Sequence, residues 1–451
     1  MDNVNKMPKE KVGFRNWISF IIIGLAGQFA WMIENMYLNK FIFSFGSNNY
    51  TSMISITVAL SAITAAVTTI FMGSLSDKIG KRKIFICLGY ILWGIATASF
   101  GFIKRNTNLD AVSCSVFVII LDCVMTFFGS TANDACFNSY VTKNVSTKNR
   151  GKVEGVLSIL PLMAMLVIFV GLDRFTSKDS SGETHWDIFF FIIGAIVLLV
   201  GIASFFLLPK EKVDKNDEKY LSLLADGFKP KTIKTNKILY LVLIAYLIYG
   251  IATQVFFPYL TIYFQYSLNF DANTMPIILG IVLIVGSALS VVAGYLMDKF
   301  GKLKTLIPIC IVAFVGFFIL FFVPKENLIF TIIAGVIMMF GYVSVSAILN
   351  AILRDYIPKG KEGVFMGVRM LFVVMLPMCT GPFIGQAITD NLATSTYTDP
   401  TYGTIQNLPP NYIWLVGSLI FLLIFIPIIF IIKEEKKKRI VKEDNDTKYE
   451  N

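Results

Sequence analysis

Four charged side chains stand deep inside long apolar stretches of this 451-residue sequence: Glu34, Asp122, Asp134 and Arg369. An ion among apolar residues is costly, so each needs a partner or a task. Burial disfavours the ionised carboxyl group, which lets an apolar-flanked Asp134 or Glu34 take up and release a proton. A carboxylate joined by Asn and Gln carbonyls would equally suit sodium, a hard cation. Beside Glu34, the residues Gln28, Trp31 and Asn35 recur at i, i+3 and i+7, within about 60° of one another on a helix. Hydroxyls need donors and acceptors, and sugar C–H faces pack on aromatic rings, so amide, indole and carboxylate together suit a polyhydroxylated ligand. Hydrogen bonding between helices is the alternative reading of the same stripe. A second polar group, Ser130, Asn133, Asp134 and Asn138, puts 130, 134 and 138 on one helical face, with Asp122 turned about 120° from Asp134. Counted at about 1.5 Å per residue from the span ends, Asp134 and Arg369 lie at similar depth, roughly 10 to 12 Å in. They could form an ion pair that a proton, cation or ligand exchanges into, or a permanent structural one.

No nucleophile–base pair or metal cluster accompanies these residues. The single histidine, His185, lies in a polar stretch. The six cysteines, Cys87, Cys114, Cys123, Cys136, Cys310 and Cys379, fall in or beside apolar runs without a C-x-x-C, the pattern of buried free thiols. An enzyme, a resident metal or another cofactor is therefore not expected. Nucleic acid is not expected either, because the surplus of 40 Lys and Arg over 30 Asp and Glu is confined to segments between apolar stretches.

The elements that must carry these residues are membrane helices. The chain is 55% apolar and only 16% charged, enough apolar sequence for roughly twelve spans of about 20 residues. Its mean hydropathy is +0.68. Spans are expected near 16–45, 51–75, 83–103, 111–141, 152–172, 186–208, 237–266, 273–297, 304–323, 327–354, 361–389 and 411–432. The first stays apolar too long for a cleaved leader and reads as a retained span. With both termini in the cytoplasm, 33 of the 40 Lys and Arg fall on that side and five outside, a strong positive-inside bias. Lys40, Asp110, Glu154, Arg354 and Asp355 sit near span ends, where they can reach water. Residues 209–236 read as a polar cytoplasmic linker between halves 1–208 and 237–432, and 433–451 as a charged, disordered cytoplasmic tail. Trp17, Trp186 and Trp414 fall at span ends and read as interfacial anchors. In the second half Gln254, Tyr259, Tyr342 and Asn350 are candidate cavity residues by type and depth.

One loop reads Gly73-Ser-Leu-Ser-Asp77-Lys-Ile-Gly80-Lys81-Arg82; a second, 221 residues later, reads Gly294-Tyr-Leu-Met-Asp298-Lys-Phe-Gly301-Lys302. Both are G-x-x-x-D-K-x-G-K after the second span of a half, which marks a duplication. Arg150-Gly151 with Gly155-Val156, and Glu362-Gly363 with Gly367-Val368, repeat in the same way at the fifth span. Gly73 would allow close helix approach and Gly80 a tight turn. The first loop resembles the signature of the major facilitator superfamily, G-x-L-[SA]-D-[RK]-x-G-[RK]-[RK], at every defined position. The resemblance implies an all-α polytopic protein of twelve transmembrane helices, two six-helix bundles related by a pseudo-twofold axis, working by alternating access. It also implies gating by Gly73, Asp77, Gly80 and Arg82, and by Gly294, Asp298 and Gly301, with Asp77 and Arg82 closing the cytoplasmic side.

Asp134-Ala-Cys-Phe-Asn-Ser139 is similar to the fourth-span region of glycoside–pentoside–hexuronide:cation symporters, and Gln28-Phe-Ala-Trp31 to the Q-F-G-W of sucrose-type proton symporters. Where the melibiose-type pattern has an Asp near position 28, this chain has Gln28. The antiporter motif G-P-x-x-G-G is absent from the fifth span, and a Gly381-Pro-Phe-Ile-Gly385 occurs in the eleventh. The resemblance implies symport of a sugar or glycoside with H⁺, Na⁺ being the variant, by a monomer in the cell membrane in contact with lipid. Gln28, Trp31, Glu34, Asn35, Ser130, Asn133, Asp134, Asn138, Gln254, Asn350 and Arg369 are the expected ligand and cation residues. Proton-coupled efflux of amphipathic compounds is the competing expectation, since 40 Phe and 17 Met could line an adaptable cavity.

Overall fold

Runs of Ile, Leu, Val and Phe of span length can satisfy their backbone in lipid only by hydrogen-bonding within the segment, and they fold as helices accordingly. The computed structural model describes residues 13–145, 153, 156–157, 159–177, 184–209, 227–271, 274–358 and 362–449. Among these, eleven helices are long and apolar enough to cross a membrane. Spans 1 to 4 are Phe14–Ser44, Tyr50–Ile79, Arg82–Phe102 and Ala111–Asn144. Of span 5, the stretch Leu160–Leu172 is continuous, and span 6 is Trp186–Leu207. Spans 7 to 10 are Lys237–Ser267, Thr274–Phe300, Lys302–Leu320 and Leu328–Tyr356. Span 11 is Glu362–Leu392, and span 12 begins at Tyr412. Arg150, Gly151, Glu154, Gly155, Lys178, the start of span 5 and linker residues 210–226 lie outside the described residues.

The chain divides into two compact units. The first holds residues 1–41 and 67–218, the second 42–66 and 219–451. Span 2 is therefore shared, its first seventeen residues counted with the second unit. Within the first unit, spans 3 and 6 meet through glycine: a Cβ on Gly94 would lie 2.4 Å from the Leu198 nitrogen, and one on Gly194 2.7 Å from the Ala98 nitrogen. Within the second unit, a Cβ on Gly341 would lie 2.4 Å from the Ala313 Cα, which seats span 10 against span 9. Small residues let backbones approach where lipid supplies no hydrophobic drive for helix association.

Among the described residues five stretches widen from α to π geometry: Ile33–Tyr37 in span 1, Ser130–Phe137 in span 4, Ile168–Leu172 in span 5, Tyr263–Ser267 in span 7 and Leu371–Met375 in span 11. Spans 1 and 7, and spans 5 and 11, hold the same rank in the two halves, so four of the five follow the repeat. Such bulges gather at functional positions. An antiparallel hairpin, Thr396–Thr398 paired with Ile405–Asn407, joins spans 11 and 12.

Several expectations are corrected. The charged tail is helical, not disordered, because Phe425–Tyr449 forms one helix. Lys, Glu and Arg are strong helix formers, and Glu434 accepts from Lys237 at 2.6 Å. Trp186 and Trp414 are packed in protein: Trp186 stacks on Phe190 at 5.8 Å, and Trp414 meets Phe256 at 4.3 Å. Lys40 does not reach water, being 1% exposed. Gly73 is not needed for close packing, since a Cβ there would find only Ala135 Cβ at 3.8 Å.

Candidate functional site

In the first unit, span 1 presents one partly exposed edge. Between Ile23 and Phe43 only Leu25, Gln28, Trp31 and Asn35 keep partial exposure; every other residue is buried. The stripe expected from spacing is thus the only edge of that stretch not packed against protein. Trp31 stands edge-on to Trp93 at 5.1 Å, and Tyr90 meets Trp93 at 5.4 Å. Asn35 Nδ2 donates to the Trp31 carbonyl at 2.7 Å, where the π segment opens the helix. Glu34 is 6% exposed and lies beside the stripe, not on it.

Span 4 brings its group together as the spacing requires. Ser130 Oγ donates to Asp134 Oδ2 at 3.1 Å, Asn133 Nδ2 to Asp134 Oδ1 at 3.4 Å, and Asn138 Nδ2 to the Asp134 carbonyl at 3.5 Å. Asp134 keeps partial exposure, whereas Asp122 is fully buried. The Tyr90 hydroxyl lies 3.1 Å from Asn133 Oδ1 and 2.9 Å from the Ile23 carbonyl, so it ties spans 1, 3 and 4 at one point. This needs Gly27, because a Cβ there would sit 2.8 Å from the Tyr90 hydroxyl. Tyr90 and Trp93 were not expected at the site; among 18 Tyr in an aromatic-rich chain their type carries no signal.

Span 1 also holds an ion pair away from the stripe. Lys40 Nζ lies 3.3 Å from Asp173 Oδ1 and donates to Thr176 Oγ1 at 2.7 Å, and the two charged side chains are 1% and 0% exposed. Tyr37 sits beside the same carboxylate, under the rings of Phe189 and Phe169.

The second unit carries a chain of neutral groups ending in a cation. Arg369 Nη2 donates to Asn350 Oδ1 at 3.2 Å, Asn350 Nδ2 to the Tyr246 hydroxyl at 2.9 Å, and that hydroxyl meets Ser346 Oγ at 2.7 Å. Tyr249 donates to the Tyr342 carbonyl at 2.9 Å. Spans 7, 10 and 11 are thereby joined around Arg369. Asn350 and Arg369 were expected to contribute; Tyr246 and Ser346 were not. Gln254 is half-buried against Gly381, whose Cβ would lie 2.4 Å from Gln254 Cβ, and Tyr259 bonds elsewhere, to Ser55 at 3.3 Å.

Of the repeated loops, Gly80 and Gly301 have φ of 71° and 91°, which glycine adopts freely. Arg82 is 2% exposed, Asp298 is exposed, and no Cβ clash exists at Gly294. The side chain of Asp77 lies outside the described residues.

These helices and their few intramembrane charges define an integral, multi-pass membrane protein. The sequence profile of the Major Facilitator Superfamily matches residues 16–382, and the chain belongs to that superfamily, a family of transporters of small-molecule substrates. Solved structures agree in fold. The nucleoside transporter NupG superposes with a TM-score of 0.67 at 14% identity, over 92% of this chain and 99% of that one. The D-xylose-proton symporter gives 0.67 at 13% identity, over 91% and 97%. A bacterial homologue of the iron transporter ferroportin, in its inward-facing state, gives 0.65 at 11% identity, over 92% and 97%. No curated protein matches the sequence significantly.

Proposed function

We propose that the protein is a symporter that moves a sugar or glycoside together with a proton by alternating access, in the cell membrane with both termini in the cytoplasm. The observation that carries this reading is the edge of the first unit where Gln28, Trp31 and Asn35 keep partial exposure on span 1, while Asp134 on span 4 is held by neutral donors. An indole flanked by amides suits a pyranose ring and its hydroxyls. A carboxylate that its own unit holds with Ser130 and Asn133 can lose its charge without stranding a buried cation. Arg369 and Asn350 are the ligand groups of the second unit in this reading, and Asp77 and Arg82 close the cytoplasmic end. A nucleoside transporter and a D-xylose-proton symporter share the fold, which supports the reading at that level alone.

The test is uptake by proteoliposomes. Radiolabelled sugars from a thermal-shift panel should accumulate when the outside is made acidic and not when sodium is added. Asp134→Asn should abolish accumulation against a gradient. Persistence of that accumulation in the variant would sink the reading.

A further inference from the structure

We propose that the hairpin between spans 11 and 12 is a strap that holds the turn between spans 1 and 2, and that its release is what frees the outer half of span 2. This rests on the alternating-access reading above.

The contacts belong to the second unit and converge on residues 43–50. Gln406, whose side chain is 0% exposed, donates from Nε2 to the Phe43 carbonyl at 3.0 Å and to the Ser47 carbonyl at 3.2 Å. Span 1 ends there, and a residue more than 350 positions away joins the Gly46 and Tyr50 nitrogens in holding these two carbonyls. The Tyr50 hydroxyl returns the grip by donating to the Asn407 carbonyl at 2.6 Å. Phe43 packs on Tyr266 at 4.8 Å and on Tyr397 of the hairpin at 5.8 Å.

The strap is stiff before it grips. Asp399 Oδ1 accepts from the Thr401 and Tyr402 nitrogens at 2.7 and 3.1 Å, and Gly403 takes φ of 66° to close the turn. Its far end is tied down, since Ser267 Oγ donates to the Pro409 carbonyl at 2.8 Å and Asn411 Nδ2 to the Phe321 carbonyl at 2.9 Å.

Beyond the strap, span 2 runs along span 11 through polar contacts. Thr51 donates to Asp390 at 2.7 Å, Gln386 to Ser52 at 2.7 Å, and Ser55 to the Pro382 carbonyl at 3.0 Å. Water can replace every one of these bonds, so the row can part without leaving a polar group unpaired. A carrier that opens at each end by turns has to part residues 50–66 from span 11. The strap is the contact that must let go first, because it fixes the start of that helix.

The experiment reads Ser55→Cys, a position 0% exposed, in purified protein treated with a membrane-impermeant maleimide and mapped by mass spectrometry. Adding Gln406→Ala should raise the labelling rate of residue 55 by about tenfold or more, because labelling follows the population of the opened state. Native Cys87 and Cys310, buried elsewhere, should stay unmodified in the same sample. An unchanged rate at residue 55 overturns the proposal. So does labelling that spreads to Cys87 and Cys310, which would make the hairpin a general element of stability. If Gln406→Ala yields no folded protein, Tyr50→Phe, which keeps the ring and removes one bond, decides by the same readout. No substrate enters the assay, so failure of the sugar reading and failure of the strap are told apart.

Discussion

Lys40 and Asp173 show how a charge can be kept inside a membrane protein by a buried partner of opposite sign. Both are essentially unexposed, and Thr176 satisfies a further Lys40 proton at 2.7 Å. Removing one partner of such a pair strands the other, at a cost of about 3–5 kcal/mol, whereas removing both costs far less. Lys40→Met should therefore lower the thermal unfolding temperature of the detergent-solubilised protein sharply, and Lys40→Met with Asp173→Asn should recover most of the loss. Equal destabilisation in the double variant would contradict this. The polar stripe was legible because helical spacing alone sets which residues share an edge. The ion pair was not: Lys40 stands four residues before the end of span 1, where a lysine would ordinarily reach water, and only the tertiary packing of span 5 brings Asp173 to it. Tyr90 and Tyr246 were illegible for the same reason, since their roles depend on which span faces them.

Among elements, the two repeated loops look alike in sequence, and in each the two glycines do different things. Gly80 and Gly301 have φ of 71° and 91°, and an alanine at either should cost about 1–2 kcal/mol through left-handed backbone strain. Gly73 and Gly294 lie within helices, with nothing closer than 3.8 Å to a new Cβ at Gly73 and nothing within 4 Å at Gly294. Alanine there should be neutral or stabilising by up to about 1 kcal/mol. Unfolding midpoints of the four single variants check the contrast. The helix start at Asp110 adds a pH dependence. Hydrogen bonds from Ser113 hold its carboxyl below the usual carboxylate range. A lowered folded value means that the cap's stabilisation is present above the ordinary carboxylate pKa and fades as pH falls through the lower one. Asp110→Ala should therefore lose stability at neutral pH and little in strong acid. The motif itself was legible, as a repeat. The unequal demands on its glycines were not, because they depend on φ and on neighbouring helices.

For the whole molecule, the apolar stretches foretold every span to within a few residues wherever the chain is described, because length and hydropathy are enough to define a helix in lipid. What they could not foretell was a boundary inside a helix. Span 2 passes from the second unit to the first between Ala66 and Val67, with no break in its hydrogen bonding and no change in composition. The helical tail was likewise missed, since charge density argued for disorder while helix propensity and the Lys237–Glu434 bond favour order. Truncation after Lys433 should lower the unfolding temperature by removing that bond; an unchanged midpoint would show the tail to be energetically idle. The π segment Ile33–Tyr37 lies between the edge that carries Trp31 and the anchor at Lys40. A π turn is a one-residue insertion in α periodicity, so it works as a phase shifter. Deletion scanning should expose it: losing any one residue of 33–37 lets the segment close into a regular α-helix with the bearings on either side nearly kept, whereas losing Leu38 or Asn39 with the π turn intact turns everything after it by about 100° relative to what comes before. The lysine and the indole could then no longer both keep their bearings.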